Sequence, residues 1–252
     1  MTLAVALTAA DAHRDTPRCL AIVPAYNEEA TIAEVVSEVL DFDPSFQVLV
    51  VDDGSSDATA ACAEAAGARV LRLPLNLGIG GAVQAGYMYA QDHGFEVAVQ
   101  VDGDGQHDAR ELGRLLEPVL AGRADLAIGT RFSGLRAYRA PLARRVGISL
   151  FATLVSLRVR QRMTDTTSGF RAVNQRGIRL FAVDYPHDYP EVESVVTAAR
   201  GNLRVCEVPV SMRPRAAGRS SITALRSFYY VIKVLLALFV GLFPRQPLVT
   251  DE

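Results

Sequence analysis

The sequence predicts an α/β fold in which helices cover both faces of a mostly parallel, Rossmann-like sheet. Short, continuous apolar runs recur between residues 19 and 128, as strands buried inside a parallel sheet require. A segment with the apolar spacing of a helix follows each of the first four runs. The chain has 252 residues, of which 50% are hydrophobic, so one domain with a large core is expected.

Each predicted element has a local signal. The strands are the apolar runs at residues 19–23, 47–51, 68–73, 97–101 and 125–128. Thr31 and Glu34 form a capping-box pattern that predicts the first helix, and Ser56 or Asp57 can cap a second helix that ends at residue 66. A glycine-rich loop at residues 76–81 leads to a third helix through residue 90, and a fourth lies near residues 109–120.

The second half of the chain has a different character. From about residue 135 it has arginine-rich helical stretches, the segment TSGFR and a short predicted strand at residues 203–210. Residues 228–243, FYYVIKVLLALFVGLF, are apolar but shorter than the roughly 20 residues that a membrane-spanning helix needs. This segment is a core helix, a partner-binding helix or a helix in the bilayer interface, and nearby arginines favour anionic lipid headgroups.

We therefore predict a flexible N-terminal extension at residues 1–17, a main domain at 18–222 and an apolar membrane-associating helix and tail at 223–252. The formal net charge of −2 argues against nucleic acid as a partner. The three cysteines, Cys19, Cys62 and Cys206, are widely spaced and odd in number, which is typical of buried thiols in a reducing cytoplasm. The start of the chain lacks the basic region of a signal peptide.

The strongest local motif is VQVDGDGQHD at the end of the fourth predicted strand. Asp102 and Asp104, separated by Gly103, can converge on Mg²⁺ or Mn²⁺, which prefer oxygen ligands and leave positions open for phosphate. The amide oxygen of Gln106 is a plausible third ligand. The alternative is a solvated acidic turn, but ligands of such sheets bind beyond the carboxyl ends of the strands, where a second acidic pair also lies.

That second pair is Asp52 and Asp53 in VVDDGSSD. A carboxylate there can accept hydrogen bonds from a nucleoside, and the alternative is a strand-to-helix turn in which it caps the helix. The following NLGIGGAVQAG is a poor dinucleotide loop, because Val83 occupies the third glycine position of G-x-G-x-x-G. A dehydrogenase is therefore not favoured.

Taken together, the motifs resemble those of glycosyltransferase family two, and within it the dolichyl- or polyprenyl-phosphate sugar synthases. They are PAYNEE, VVDDGSSD, NLGIGGAVQAG, VDGDGQHD, IGTRF, DTTSGFRA and EVPVSMRPRAAGRSSI, which span residues 19–222 in that family's order. The resemblance implies the GT-A fold. It departs from the family's pattern at Ser221, where relatives have lysine, and in lacking the long pair of spanning helices that some relatives carry.

The resemblance also implies roles for individual residues. Nucleotide-sugar-binding positions would be Pro24, Tyr26, Glu28, Asp52, Asp53, Asp102 and Gly103. Metal ligands would be Asp102, Asp104 and Gln106. Acceptor or diphosphate ligands would be Arg131, Ser168, Arg171, Arg215 and Arg219. The catalytic set would be Asp104, Asp165, Arg131 and Arg171, with Asp165 orienting or deprotonating the acceptor.

The expected activity is an inverting transfer, dependent on Mg²⁺ or Mn²⁺, from GDP-mannose or a UDP-sugar to a polyprenyl phosphate. It would take place at the cytoplasmic face of the cell membrane during cell-envelope biogenesis. Besides donor, acceptor and membrane surface, the partners would include a small membrane protein or further copies of the chain. Two alternatives remain: a glycosyltransferase that extends a glycan hydroxyl, and a non-catalytic nucleotide-sugar-binding protein.

Overall fold

The computed structural model describes residues 17–130, 163, 165, 167–187 and 190–213. Several predictions fall outside these residues. They are the N-terminal extension before residue 17, the roles of Arg131, Arg215 and Arg219, the departure at Ser221, and the apolar segment within 223–252.

The described residues form a seven-stranded mixed sheet of order β3-β2-β1-β4-β6-β5-β7. Its strands are β1 (Cys19–Ala25), β2 (Gln47–Asp52), β3 (Arg69–Arg72), β4 (Val97–Gln100), β5 (Leu126–Thr130), β6 (Arg171–Asn174) and β7 (Val205–Pro209). Strand β1 pairs in parallel with both β2 and β4, and β5 pairs in parallel with β7. The predicted mostly parallel sheet is confirmed.

Helices cover both faces of this sheet. They are α1 (Ile32–Phe42), α2 (Thr59–Ala65), α3 (Gly78–Asp92), α4 (Leu112–Leu120), α5 (Gln175–Val183) and α6 (Pro190–Arg200), with a 3₁₀ turn at Ala109–Glu111. Alternate residues of β1 enter opposite cores: Leu20 and Ile22 pack with residues of α3, α5 and α6, whereas Ala21 and Val23 pack with residues of α1 and α4. This period of two follows from the pleat of a strand.

Strand β6 is the main feature that the sequence did not predict. It runs antiparallel between β4 and β5, with Gln100 opposite Arg171 and Leu126 opposite Val173. Its sequence, RAVN, is four residues long and begins with a charge, so it lacks the continuous apolar run that marks the other buried strands. Tertiary pairing on both sides makes it a strand.

A buried carboxylate fastens β6 at the amino end of β5. Asp125, which is fully buried, accepts hydrogen bonds from the Arg204 guanidinium at 2.9 and 3.1 Å, from Asn174 Nδ2 at 2.8 Å and from Arg176 at 3.1 Å. The hydrogen bonds from Arg204 hold the pKa of Asp125 well below its ordinary range. Asp125 and its partners thus connect neighbouring ends of β5, β6 and β7.

Two local predictions were wrong. Helix α3 begins at Gly78, so part of the predicted glycine-rich loop is its first turn. Thr31 does precede α1, but its side chain does not cap the helix, because Thr31 Oγ1 donates to the Gly103 carbonyl at 2.7 Å. The first turn of α1 is thereby attached to the loop after β4.

In the part of the chain that the structure describes, no helix is both long enough and apolar enough to cross a membrane.

Candidate active site

A cluster of polar residues lies at the carboxyl ends of β1, β2 and β4, which are neighbours in the sheet. Three loops form it, and backbone contacts join them. The Asp53 N–H donates to the Ala25 carbonyl at 2.9 Å, which connects the ends of β1 and β2. The Thr31–Gly103 bond connects the β1–α1 loop to the loop after β4. The predicted nucleotide residues of these three loops are therefore brought together.

The β1–α1 loop contributes Tyr26 and Glu28 after the strand residue Pro24. Tyr26 is half-exposed, so its ring is available to a ligand. The backbone of the next residue, Asn27, has a positive φ of 55°, and its N–H donates to Ser55 Oγ at 3.0 Å. Hydrogen bonds between the two loops thus hold Tyr26 beside the end of β2.

The two aspartates after β2 have different surroundings. Asp52 is buried, and its Oδ1 accepts from the Ser55 N–H at 3.0 Å. The Asp53 carboxylate accepts from the N–H groups of Leu77 and Gly78 at 2.7 and 2.9 Å, at the start of α3. Burial raises the pKa of Asp53, although these two N–H groups oppose the shift. For Asp53 the structure shows the capping contact, and a nucleoside contact stays a prediction.

The loop after β4 contains the predicted metal ligands. Asp102 is partly exposed, whereas Asp104 is buried and its Oδ1 accepts from the Gln106 N–H at 3.0 Å. Gly103 has no room for a side chain without crowding, since a Cβ would lie 3.2 Å from the Pro24 carbonyl oxygen. Both aspartates therefore stand on a short loop pressed against the end of β1.

Asp102, Asp104 and Gln106 offer only oxygen ligands to a divalent cation. Among the described residues no group of three or more histidines, cysteines and acidic residues could hold a metal ion. Mg²⁺ is commonly bound by only one or two carboxylates, with substrate phosphate and water completing its shell. Two carboxylates and the Gln106 amide fit that arrangement. The metal itself stays a prediction.

The acceptor-side residues Ser168 and Arg171 are buried. The Arg171 guanidinium donates to the Ser168 carbonyl at 2.8 Å, to Ser194 Oγ and to the Glu191 carbonyl. The residue was predicted to face phosphate, but in this structure its visible partners belong to the TSGFR segment and to α6. These contacts favour a positioning role, and phosphate binding by Arg171 or Ser168 stays a prediction.

Asp165 is also fully buried. Its Oδ1 accepts from Thr167 Oγ1 at 3.0 Å and from the Thr167 N–H at 3.3 Å, while its own N–H donates to Glu207 at 2.8 Å. A general base needs to reach the proton that it removes. The burial of Asp165 therefore favours an orienting role over deprotonation of the acceptor.

Several residues around this site were missed at the sequence level. Gln100, His107, Gly169 and Phe170 surround Asp102 and belong to β4, the loop after it and TSGFR. All four lie inside the recognised motifs VQVDGDGQHD and TSGFR, but no role was predicted for any of them.

Arg213 was noted in the sequence only as one of several basic residues near the apolar segment. Its N–H donates to the Gln106 carbonyl at 2.9 Å, and its guanidinium reaches Asp108 at 3.0 Å and Glu38 at 2.5 Å. The described chain thus ends against the loop that carries the candidate metal ligands.

Comparison with known proteins agrees with this geometry. Residues 20–183 match the family model for glycosyl transferase family 2. The chain is 34% identical over 220 residues to a polyprenol monophosphomannose synthase of Mycolicibacterium smegmatis, covering 83% of both chains. It is also 34% identical over 216 residues to an undecaprenyl-phosphate mannosyltransferase of Micrococcus luteus, covering 82% of this chain and 88% of the relative.

Solved structures show the same fold. Glucosyl-3-phosphoglycerate synthase of Mycobacterium tuberculosis, in complex with Mn²⁺, UDP and phosphoglyceric acid, superimposes with a TM-score of 0.68 at 20% identity, over 89% of this chain and 78% of that one. The same synthase with Mg²⁺ and UDP also gives 0.68, at 21% identity, over 91% and 81% of the two chains. The predicted GT-A fold is confirmed. The expectation of an enzyme is confirmed as well, against the non-catalytic alternative: the chain belongs to glycosyl transferase family 2 and is a glycosyltransferase.

Proposed function

We propose that the enzyme transfers a sugar from GDP-mannose or a UDP-sugar to a polyprenyl phosphate, with inversion and with Mg²⁺ or Mn²⁺. The single observation that carries the donor side is the meeting of Asp52, Asp102 and Asp104 beside Tyr26 at the carboxyl ends of three neighbouring strands. Structures of the same fold that contain UDP with Mn²⁺ or Mg²⁺ support it.

The acceptor assignment draws on the relatives and on Asp165. Two relatives at 34% identity have names that specify polyprenol or undecaprenyl phosphate acceptors. A phosphate acceptor is already anionic near neutral pH and needs no strong general base, whereas a glycan hydroxyl does. Because Asp165 is fully buried, the geometry favours the phosphate acceptor over the glycan alternative.

During the transfer, negative charge develops on the departing diphosphate and must be stabilised. A bound divalent cation supplies Lewis-acid neutralisation of that charge. Asp102, Asp104 and Gln106 would hold the cation. The arginines of the second half, Arg131, Arg215 and Arg219, would contact phosphate, for which the planar guanidinium fork is suited.

We further propose that the enzyme works at the cytoplasmic face of the cell membrane as a peripheral or interfacial protein. The domain at residues 18–222 would carry the chemistry, and the apolar segment within 223–252 would contact lipid, a small membrane protein or another copy of the chain. The lipid nature of the acceptors named for the relatives supports this location.

The test uses the purified full chain with detergent-dispersed polyprenyl phosphate and radiolabelled GDP-mannose, UDP-glucose and UDP-N-acetylglucosamine. We expect label from one donor to enter the lipid phase only with Mn²⁺ or Mg²⁺, and the sugar to be β-linked if the donor is α-linked. Equal transfer in the presence of a chelator would contradict the metal assignment. Transfer to a glycan but not to lipid would contradict the acceptor.

A further inference from the structure

The carboxylate of Asp102 lies between two buried side chains of the motif VQVDGDGQHD to which no role was assigned above. His107 lies on one side, with Nε2 3.5 Å from Asp102 Oδ2. Gln100 lies on the other, with its Nε2 donating to Asp102 Oδ1 at 3.3 Å. Both side chains are buried, whereas the Asp102 side chain keeps 28% of its surface exposed. The Asp102 carboxylate is therefore contacted by two buried side chains and remains partly open to solvent.

The proton on the His107 ring can be located from a hydrogen bond. The Asp102 N–H donates to His107 Nδ1 at 3.0 Å, so Nδ1 must be an acceptor and carries no hydrogen. The ring hydrogen then lies on Nε2, which faces the Asp102 carboxylate. One ring therefore contacts the backbone and the side chain of the same aspartate.

The orientation of that ring is itself fixed by the acceptor-side segments. The His107 ring stacks on Phe170 of TSGFR, with centroids 4.7 Å apart and an interplanar angle of 23°. His107 also forms an isolated antiparallel bridge with Met212. Gly169 completes the enclosure, because a Cβ there would lie 2.8 Å from both Asp102 carboxylate oxygens.

From these contacts we infer that His107 is a positioning residue that sets the angle of the Asp102 carboxylate toward the nucleotide–metal complex. The inference rests on the proposed function, since it assumes that Asp102 contacts donor or metal. His107 is buried and would act through Asp102. Removing groups that orient a metal ligand commonly weakens binding or activity about 10- to 100-fold.

Two substitutions separate positioning from general stability. His107→Phe keeps the ring stacked on Phe170 but removes both nitrogens. His107→Asn loses the stack but offers an amide oxygen near the place of Nδ1, where it can accept the Asp102 N–H. If the role is purely structural, His107→Phe should melt at a higher temperature than His107→Asn and should also bind nucleotide more tightly. A positioning role predicts that the Asn variant binds better although it melts lower.

The experiment measures, for the full chain, the Kd of UDP and of GDP in the presence of Mn²⁺ by isothermal titration calorimetry, and the melting temperature of each variant. We expect His107→Phe to weaken binding of the preferred nucleotide about 10- to 100-fold, and His107→Asn to recover part of that loss. Leu116→Ala, a core change on α4, serves as a destabilised control that keeps the wild-type Kd.

The outcomes are distinguishable. If the wild type binds a nucleotide with Mn²⁺ and His107→Phe binds it equally well, the positioning role is overturned and the proposed function stands. Affinities that simply follow the melting temperatures overturn it too. If the wild type binds neither nucleotide with Mn²⁺, the proposed function fails, and the inference fails with it.

Discussion

Asp102 and Asp125 flank strands at opposite ends of the sheet, and their surroundings differ. Asp102 follows β4 at the end of the sheet where the candidate site lies, and Asp125 precedes β5 at the other end. The partners of Asp102 are an amide and an imidazole, whereas those of Asp125 include the guanidinium groups of Arg176 and Arg204. The negative charge of a carboxylate paired with arginines is compensated inside the fold. One oriented by groups without compensating charge keeps its charge for a ligand.

Among changes at the candidate site, Asp104→Asn should have the largest effect on activity. The amide can still accept the Gln106 N–H, but it cannot supply the negative charge that holds a cation against diphosphate. We expect kcat to fall about 100- to 1000-fold, as measured by initial rates of lipid labelling with Mn²⁺. Asp92→Asn, at an exposed position in the last turn of α3, is the matched control and should keep the wild-type rate. A wild-type rate in Asp104→Asn would contradict the proposal that the Asp104 charge holds a cation.

At the opposite end, Asp125→Asn should affect stability. The change removes the charge that pairs with Arg176 and Arg204, which are about half-exposed and can partly turn to water. We expect a loss of about 2–3 kcal/mol in the free energy of unfolding, measured by urea denaturation. Asp41→Asn, at an exposed position on α1, should change it by no more than about 0.5 kcal/mol. Nucleotide affinity of folded Asp125→Asn should remain that of the wild type.

The stabilising effect of Asp125 should also depend on pH. The pKa of Asp125 is depressed in the folded protein, chiefly by Arg204, so its stabilisation is complete above the ordinary aspartate pKa of about 3.9. It is lost as the pH falls through that value toward the lower folded pKa. The stability gap between wild type and Asp125→Asn should therefore narrow progressively below about pH 5. A gap that stays constant between about pH 7 and pH 3 would contradict the assigned role.

A smaller effect is expected from Gly169→Ala, which crowds Asp102 without touching its charge. The added Cβ would also lie 3.1 Å from Gln100 Nε2, so the carboxylate or the amide must shift. We expect the KM for the donor to rise about 10-fold with little change in melting temperature. Gly113→Ala in α4 is the control, since its Cβ meets nothing closer than the Phe42 ring at 3.7 Å. A KM equal to that of the wild type would show that Asp102 tolerates displacement.

The parallel half of the sheet was well predicted because its signals are local. Strands β1, β2 and β4 coincide with continuous apolar runs, and α1 with apolar residues at helical spacing. The placement of Asp102 and Asp104 among the polar loops then follows from the rule that parallel strands carry their sites at their carboxyl ends.

The other half depends on contacts that are distant in the sequence. Arg171 was predicted as a phosphate ligand because it is a cation in a recognisable motif, yet its partners Glu191 and Ser194 lie on α6. Strand β6 is recognisable only through its neighbours β4 and β5. The role of His107 could not be predicted, because a lone histidine after a strand gives no sign of the aromatic ring against which it stacks.

The insertion of β6 also bears on how this enzyme could be re-engineered. Residues 168–170 lead into β6, which pairs with β4 from Arg171 onward, and Gly169 and Phe170 pack around Asp102 and His107. A chimera that imports a new acceptor preference would have to retain residues 168–171 and exchange only sequence beyond them. A crossover placed inside the stretch would disturb both substrates at once, so selection for one specificity would constrain the other.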